Sequence, residues 1–407
     1  MKINLNLLKL FLVFCVGLFL PWGRNSLPIG IYPPLLFVVA TFCLAAYLPF
    51  TGIKIPSSFK LFLLFIIAHI VITIIILGQN YLFLIHTEAQ SLGSELLYVR
   101  RAPVITSIGQ IIFLIIFFVV MMSVLKNKKE WLLFISSFLC GLVLVCSFKL
   151  VFYGFSEARF TGGYNDANTF GITACIAFFL AFVMKEGVRN RLLKVVSLAF
   201  SVFFFFMILL SQSRGAFVAL LIGGCVLLKE KNLRLYKIIA VLIALSLFAV
   251  IVRPFFPERF SMLNSWLEDR GSLRLDVWLI YLSHFWDFFF TGVGYMRSAD
   301  VISTGILRKE LVTHNFFLQM LVEFGIGGLL LFLFTLKQIW SSLSRVPGHI
   351  LFTPGIKAAF LSWLIGACFL SSFAERETWF IFALAASFIA LTKKNPYCVK
   401  PEAGQAR

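Results

Sequence analysis

Four arginines and one histidine fall on turns and helix ends, where a side chain can meet a ligand: Arg159, Arg214, Arg270, Arg274 and His314. A guanidinium is a rigid planar fork that engages the oxygens of a phosphate two at a time. A neutral imidazole keeps one ring nitrogen free to take a proton from a hydroxyl. Together these groups suit an anionic, phosphate-bearing ligand whose reaction partner must lose a proton.

Arg214 sits in Ser211-Gln212-Ser213-Arg214-Gly215, at the tip of a hydrophobic hairpin. It is the only charge among the 34 residues between Lys194 and Lys229. Two helical crossings of a hydrocarbon layer of about 30 Å, at about 1.5 Å per residue, need roughly 40 residues. The short hairpin therefore pulls the turn toward membrane depth. An arginine there is costly unless it faces a hydrated, protein-lined cavity and an anion. The alternative is an arginine that snorkels and marks the membrane edge.

His314 opens a membrane helix through Asn315-Phe316-Phe317. The helix dipole favours its neutral form, which makes it either a general base or a residue that caps and packs. Glu323 lies about two and a half turns further along, where a lone carboxylate needs an arginine or a polar backbone partner. The run Arg159 to Asn168, with two glycines and three Asx residues, predicts a tight turn that enters another helix with Asn168 as its N-cap. Free amides at such a turn also suit an anion.

The elements that position these residues follow from composition. Of 407 residues, 60% are hydrophobic, 49 are Phe, and only 13% are charged, which excludes an ordinary soluble domain. Apolar stretches at 5–20, 31–50, 59–78, 104–125, 131–152, 168–184, 195–210, 216–228, 237–252, 315–336, 357–373 and 378–392 predict an all-α polytopic protein with about twelve transmembrane helices. Residues 1–407 form one membrane domain, and a long outer loop, 253–314, joins helices nine and ten. Lys2 and Lys9 precede an apolar run without a small-residue cleavage site, so that run counts as helix one and not as a signal peptide.

Charge sets the orientation. Loops on one side carry 22 Lys and Arg against 4 Asp and Glu, a net of +18; the remainder carries 14 of each. The lysine-rich side is cytoplasmic and holds both termini. The formal charge of +18 is a topology signal, which removes nucleic acid as a partner. Cation type changes as well: 17 of the 22 are lysine, whereas 12 of the other 14 are arginine. An outer face that is neutral overall yet rich in arginine suits a phosphate-bearing ligand.

The outer loops have structure of their own. Residues 79–103 include Glu88, Glu95, Arg100 and Arg101. In the longer loop, Ser272 to Phe290 reads as an amphipathic helix with an aromatic face, placed along the membrane surface or over a cavity. Arg270 and Arg274 share a face if that helix reaches back across Gly271. The eight cysteines lie in apolar spans or in the tail and form no disulfide framework. No Asp-x-Asp pair or carboxylate cluster is evident on the outer face, so no metal or other cofactor is expected.

Taken in order, Arg159-x-x-Gly162-x-Tyr164-Asn165-Asp166-Ala167-Asn168, Ser213-Arg214-Gly215, Ser272-Leu273-Arg274-x-x-x-Trp278, Gly292-Val293-Gly294, His314-Asn315 and Glu323-x-Gly325-Ile326-x-Gly328 resemble the O-antigen ligase and polymerase superfamily. The resemblance implies a GT-C type helical fold in the bacterial inner membrane. It implies an undecaprenyl diphosphate-linked glycan donor and a hydroxyl acceptor, lipid A-core or a lipid-linked glycan, at the periplasmic face. On these positions it makes Arg214, Arg274 and His314 catalytic, and Arg159 matches a further position; Arg159, Arg270, Asn168, Asn315 and Glu323 are the candidate diphosphate- and substrate-binding residues. The expected activity is a metal-independent O-antigen ligase; the alternatives are a polymerase of lipid-linked repeat units and a transporter of an anionic lipid or sugar phosphate.

Overall fold

A computed structural model describes residues 5–22, 33–46, 60–71, 94–153, 159–164, 166–188, 190–230, 274–295, 298, 313–347, 352–371 and 373–394. Every regular element among the described residues is a helix. In chain order these are α1 (Leu5–Phe19), α2 (Pro33–Ala45), α3 (Lys60–Val71), α4 (Ser94–Val124), α5 (Lys128–Tyr153), α6 (Ala167–Gly187), α7 (Arg191–Ser211) and α8 (Arg214–Glu230). Two short helices follow, α9 (Arg274–Ser283) and α10 (Phe285–Phe288), and then α11 (Phe316–Arg345), α12 (Thr353–Ala367) and α13 (Arg376–Lys394).

Most of the predicted apolar stretches overlap these helices, while 237–252 lies outside the described residues. By length and composition α5, α6, α7 and α11 can cross a membrane; α1, α2, α3 and the apolar part of α4 are shorter apolar helices. The chain is thus an α-helical, multi-pass membrane protein. Two boundaries shift. α4 starts at Ser94, so the backbone of the expected 79–103 loop is helical from there onward. α11 runs on to Arg345 and carries Lys337 in its body.

Packing centres on α6, which contacts α5, α7, α8 and α12. Small residues permit this closeness, as is usual where helices meet in lipid. A Cβ on Gly171 of α6 would fall 2.7 Å from Ser211 Oγ and 3.0 Å from Ser213 Cβ. The tip of the α7–α8 hairpin is therefore pressed onto α6. At the other end of the bundle, Lys9 of α1 pairs with Glu130 of α5, whose second oxygen accepts the Lys126 amide at 2.8 Å.

α11 is not continuous. Gly325 adopts φ 68° and ψ −175°, which breaks the helical ladder inside a buried stretch. The turn after α10 takes up the released groups: Val293 N–H donates to Val322 O at 2.8 Å, Gly294 N–H to Glu323 O at 3.0 Å, and Ile326 N–H to Phe289 O at 2.7 Å. Broken backbone within an apolar protein survives only where other protein groups satisfy it in this way. The segment Phe288-Phe289-Phe290-Thr291 therefore leads directly into a clamp on α11.

Candidate functional site

Arg214 is the first residue of α8, and local bonding holds it there. Gln212, in the left-handed region at φ 51°, closes α7 with its N–H on Leu209 O. Ser213 Oγ accepts the Ala216 amide at 3.3 Å, a serine N-cap for α8.

Arg159 joins the entry of α6 to the end of α7. Its Nε donates to Ser211 O at 3.1 Å and its Nη2 to Asn168 Oδ1 at 2.8 Å, while the Phe160 amide donates to Leu210 O at 3.1 Å. The cap of α6 is Asp166 and not the expected Asn168: its carboxylate accepts the Asn168 and Thr169 amides at 3.1 and 3.2 Å. The carboxylate sits one residue before the helix, where it can reach the orphan amides of the first turn. Asn168, inside that turn, is left to orient Arg159.

The charges of three distant segments converge on Asp166. Burial lowers the Arg274 guanidinium from its ordinary range; Asp166 opposes the shift, and Arg159 and Arg214 add to it. Arg159 is likewise lowered by burial, opposed by Asp166 and reinforced by Arg214. His314 is held below the usual histidine range, first by burial and then by Arg274, against the pull of Asp166. Its neutral form is thus favoured as anticipated, but burial and an arginine supply the cause where a helix dipole was expected. Arg270 lies outside the described residues.

His314 itself adopts φ 47° just before the helix, and Asn315 caps α11 by accepting the Leu318 amide at 3.0 Å. Trp278 Nε1 donates to Thr313 O at 2.8 Å, so α9 anchors the segment that carries His314. Glu323 is fully buried and accepts Gln319 Nε2 at 3.1 Å, an amide partner within its own helix.

The amphipathic helix is bent: it is described from Arg274 onward and divides at His284, and its aromatics are split between two faces; Ser272 and Leu273 of the expected helix lie outside the described residues. Val277, Tyr281 and Phe288 pack against Val322 of α11. Leu275, Leu279, Leu282, Trp286 and Phe290 form an outward stripe that stays exposed.

Two groups escaped the reading of the sequence. Asp166 was seen only as part of a turn, although an Asx residue directly before an apolar run is the ordinary cap signal. The segment between α12 and α13 also carries a carboxylate pair, Glu375 and Glu377, in Ala374-Glu375-Arg376-Glu377-Thr378. Burial, then the Glu377 charge, pushes Glu375 up to about 7 despite Arg376. Among the described residues no three His, Cys, Asp or Glu side chains are grouped to hold a metal ion.

These features define a helical membrane protein with a cluster of partly buried arginines where one hairpin tip, one helix entry and a surface helix meet. Residues 199–333 match the family model for O-antigen ligase (Wzy_C), about a third of the chain. The matched stretch includes Arg214, Arg274, His314, Asn315 and Glu323, and lies between the Arg159–Asn168 turn and the Glu375–Glu377 pair. No curated protein matches the chain.

Proposed function

We propose that this protein is a metal-independent O-antigen ligase, which moves a glycan from undecaprenyl diphosphate to a hydroxyl of lipid A-core at the periplasmic face of the inner membrane. In this reading it has a GT-C type fold of about twelve transmembrane helices with both termini in the cytoplasm. The observation that supports it most is the cluster in which Arg159 and Arg274 share the carboxylate of Asp166 beside His314 while Arg214 adds its positive charge to both. Three guanidiniums against one carboxylate leave surplus positive charge for a diphosphate.

The chemistry follows from that surplus. Breaking the bond between sugar and diphosphate builds negative charge on the leaving group, and fixed cations aimed at it lower the barrier. Arg214 and Arg274 fill that role; Arg159 holds the frame between α6 and α7. His314, kept neutral, takes the proton of the acceptor hydroxyl.

Deletion of the gene followed by electrophoresis of lipopolysaccharide tests the reading. A ligase leaves core without glycan and polymer stranded on its lipid carrier. Core bearing a single repeat unit would indicate a polymerase, and unchanged lipopolysaccharide would overturn both in favour of another glycan or of transport.

A further inference from the structure

His314 holds a backbone conformation that it would rarely take by itself. Its φ of 47° lies in the left-handed region, which residues other than glycine visit only at a cost. A residue persists there where its surroundings over-determine it, and such residues gather at sites of chemistry. His314 is fixed in this way from both sides.

Thr313, immediately before it, is fully buried and held at two points. Its carbonyl accepts Trp278 Nε1 at 2.8 Å, and its hydroxyl lies 2.7 Å from Ser371 Oγ. The same hydroxyl donates to Asn315 O at 3.2 Å, so it reaches over His314 to the residue on the far side. A hydroxyl has one proton to give. Ser371 is therefore the donor in the 2.7 Å bond, and Thr313 the acceptor. Asn315 is fixed in turn, since its carbonyl accepts the Gln319 amide at 2.9 Å and its side chain caps α11. Thr313 and Asn315 thus form a clasp around His314, and Ser371 closes it from outside.

The segment between α12 and α13 that carries Ser371 is fastened independently of the arginine cluster. Ala374 O accepts Gln110 Nε2 of α4 at 2.7 Å, and Phe373 O accepts Trp379 Nε1 of α13 at 2.9 Å. The Phe373 ring packs edge-on against Phe316, the first residue of α11, at 5.8 Å between centroids. Through Ser371 the position of His314 is thereby referred to α4, α11 and α13. Ser371 lies beyond residue 333, where the matched family segment ends.

We propose that Ser371 is a positioning residue of the transfer site: its hydrogen bond to Thr313 locks the left-handed backbone at His314 and so fixes where the imidazole points. The proposal rests on the glycosyltransferase reading, in which that imidazole takes the proton of the acceptor hydroxyl. Such a transfer needs the ring nitrogen within hydrogen-bond reach of the hydroxyl. A misplacement of about 1 Å can cost roughly 100-fold in rate. In this scheme Ser371 acts only through Thr313.

The test uses the full-length protein in lipid nanodiscs, as wild type, S371A, S371T, T313V, W278F and the double variant of S371A with W278F. Transfer from purified lipid-linked glycan gives kcat and KM, and mass spectrometry follows acylation of His314 by diethyl pyrocarbonate across pH. S371A and T313V should each lose about tenfold in kcat, part of what a full misplacement costs, with KM for the donor unchanged. S371T restores the hydroxyl and should recover the rate. Burial and Arg274 keep His314 below the usual histidine range; once the clasp opens, the acylation profile of S371A should move up toward that of free histidine. Trp278 and Ser371 hold the same residue, so the loss in the double variant should differ from the product of the two single losses.

Wild-type kcat in S371A, or a lowered kcat with the acylation profile of His314 unmoved, would overturn the proposal. A double variant whose loss equals the product of the single losses would do the same. Should S371A not fold, T313V deletes the same bond, and a normal kcat in it overturns the proposal equally. If the wild type transfers from no lipid-linked donor while S371A still moves the acylation profile, the glycosyltransferase reading falls and the clasp stands.

Discussion

Gly292 and Gly325 approach so closely that a Cβ on Gly292 would lie 2.7 Å from the Gly325 nitrogen, and one on Gly325 would lie 2.9 Å from the Gly292 nitrogen. Both also have positive φ, 71° and 68°. The break in α11 and the turn after α10 are therefore one interlock, and it sets where α9, with Arg274 at its start, meets α11, with His314 just before it. Replacing either glycine by alanine should cost at least about 1–2 kcal/mol from backbone conformation alone, with the overlap added. Thermal unfolding in detergent should show a lower Tm for G292A and G325A, whereas G224A, where a Cβ meets nothing within 4 Å, should leave it unchanged.

Arg214 and Arg274 should be needed for transfer and dispensable for folding. Removing one preorganised charge from a developing anion typically costs about 100-fold to 1000-fold in rate. R214A and R274A are expected to reach the membrane in normal amounts, as seen by immunoblot, and to lose glycan attachment in lipopolysaccharide gels. Lysine at either position should recover little, because it lacks the planar fork.

Asp166 combines two roles that substitution can separate. D166A removes the cap of α6 and should lower stability by about 1 kcal/mol. D166N keeps a capping oxygen and should hold Tm near wild type while it removes the charge common to Arg159, Arg274 and His314. Transfer should fall in both variants, so the comparison of Tm with transfer rate divides the cap from the charge.

His314 should react as a neutral imidazole at lower pH than a free histidine. Its neutral form persists below the usual range, so acylation by diethyl pyrocarbonate, which needs that form, should continue at moderately acid pH. Asp166 raises the His314 affinity for protons, so D166N should extend this reactivity further down. Mass-spectrometric rates for the peptide carrying His314 measure the effect, and a protection profile like that of free histidine would contradict it.

Trp278 Nε1 holds the carbonyl of Thr313, the residue before His314. W278F keeps the packing and deletes one bond of about 1 kcal/mol. The expected result is a lower kcat with a modest change in Tm, read by transfer assay and thermal unfolding.

Much of the site could be read along the chain, and its gaps have a common cause. Arg214 was marked by a hairpin too short for two crossings, and His314 by its place at a helix entrance; both are properties of a few neighbouring residues. Asn168 was misassigned as a cap because Asp166 and Asn168 are equally good Asx signals, and only the backbone at Asp166, with φ −130° and ψ 129°, separates them. The pair Glu375 and Glu377 carried no local sign of importance, since two carboxylates at the start of a helix are ordinary dipole-compensating residues.

Composition and periodicity were enough for the class, a helical protein of the membrane, because burial of apolar helices in lipid depends on stretches of about 20 residues that a linear chain displays openly. The lysine and arginine bias is legible for the same reason. Neighbours across the fold are another matter. That Arg159 and Arg274 share one aspartate, that Gly292 fits only against Gly325, and that Thr313 meets Ser371 depend on how α6, α9, α11 and the α12–α13 segment pack. Such contacts arise between residues far apart in the chain, where no local pattern encodes the partner.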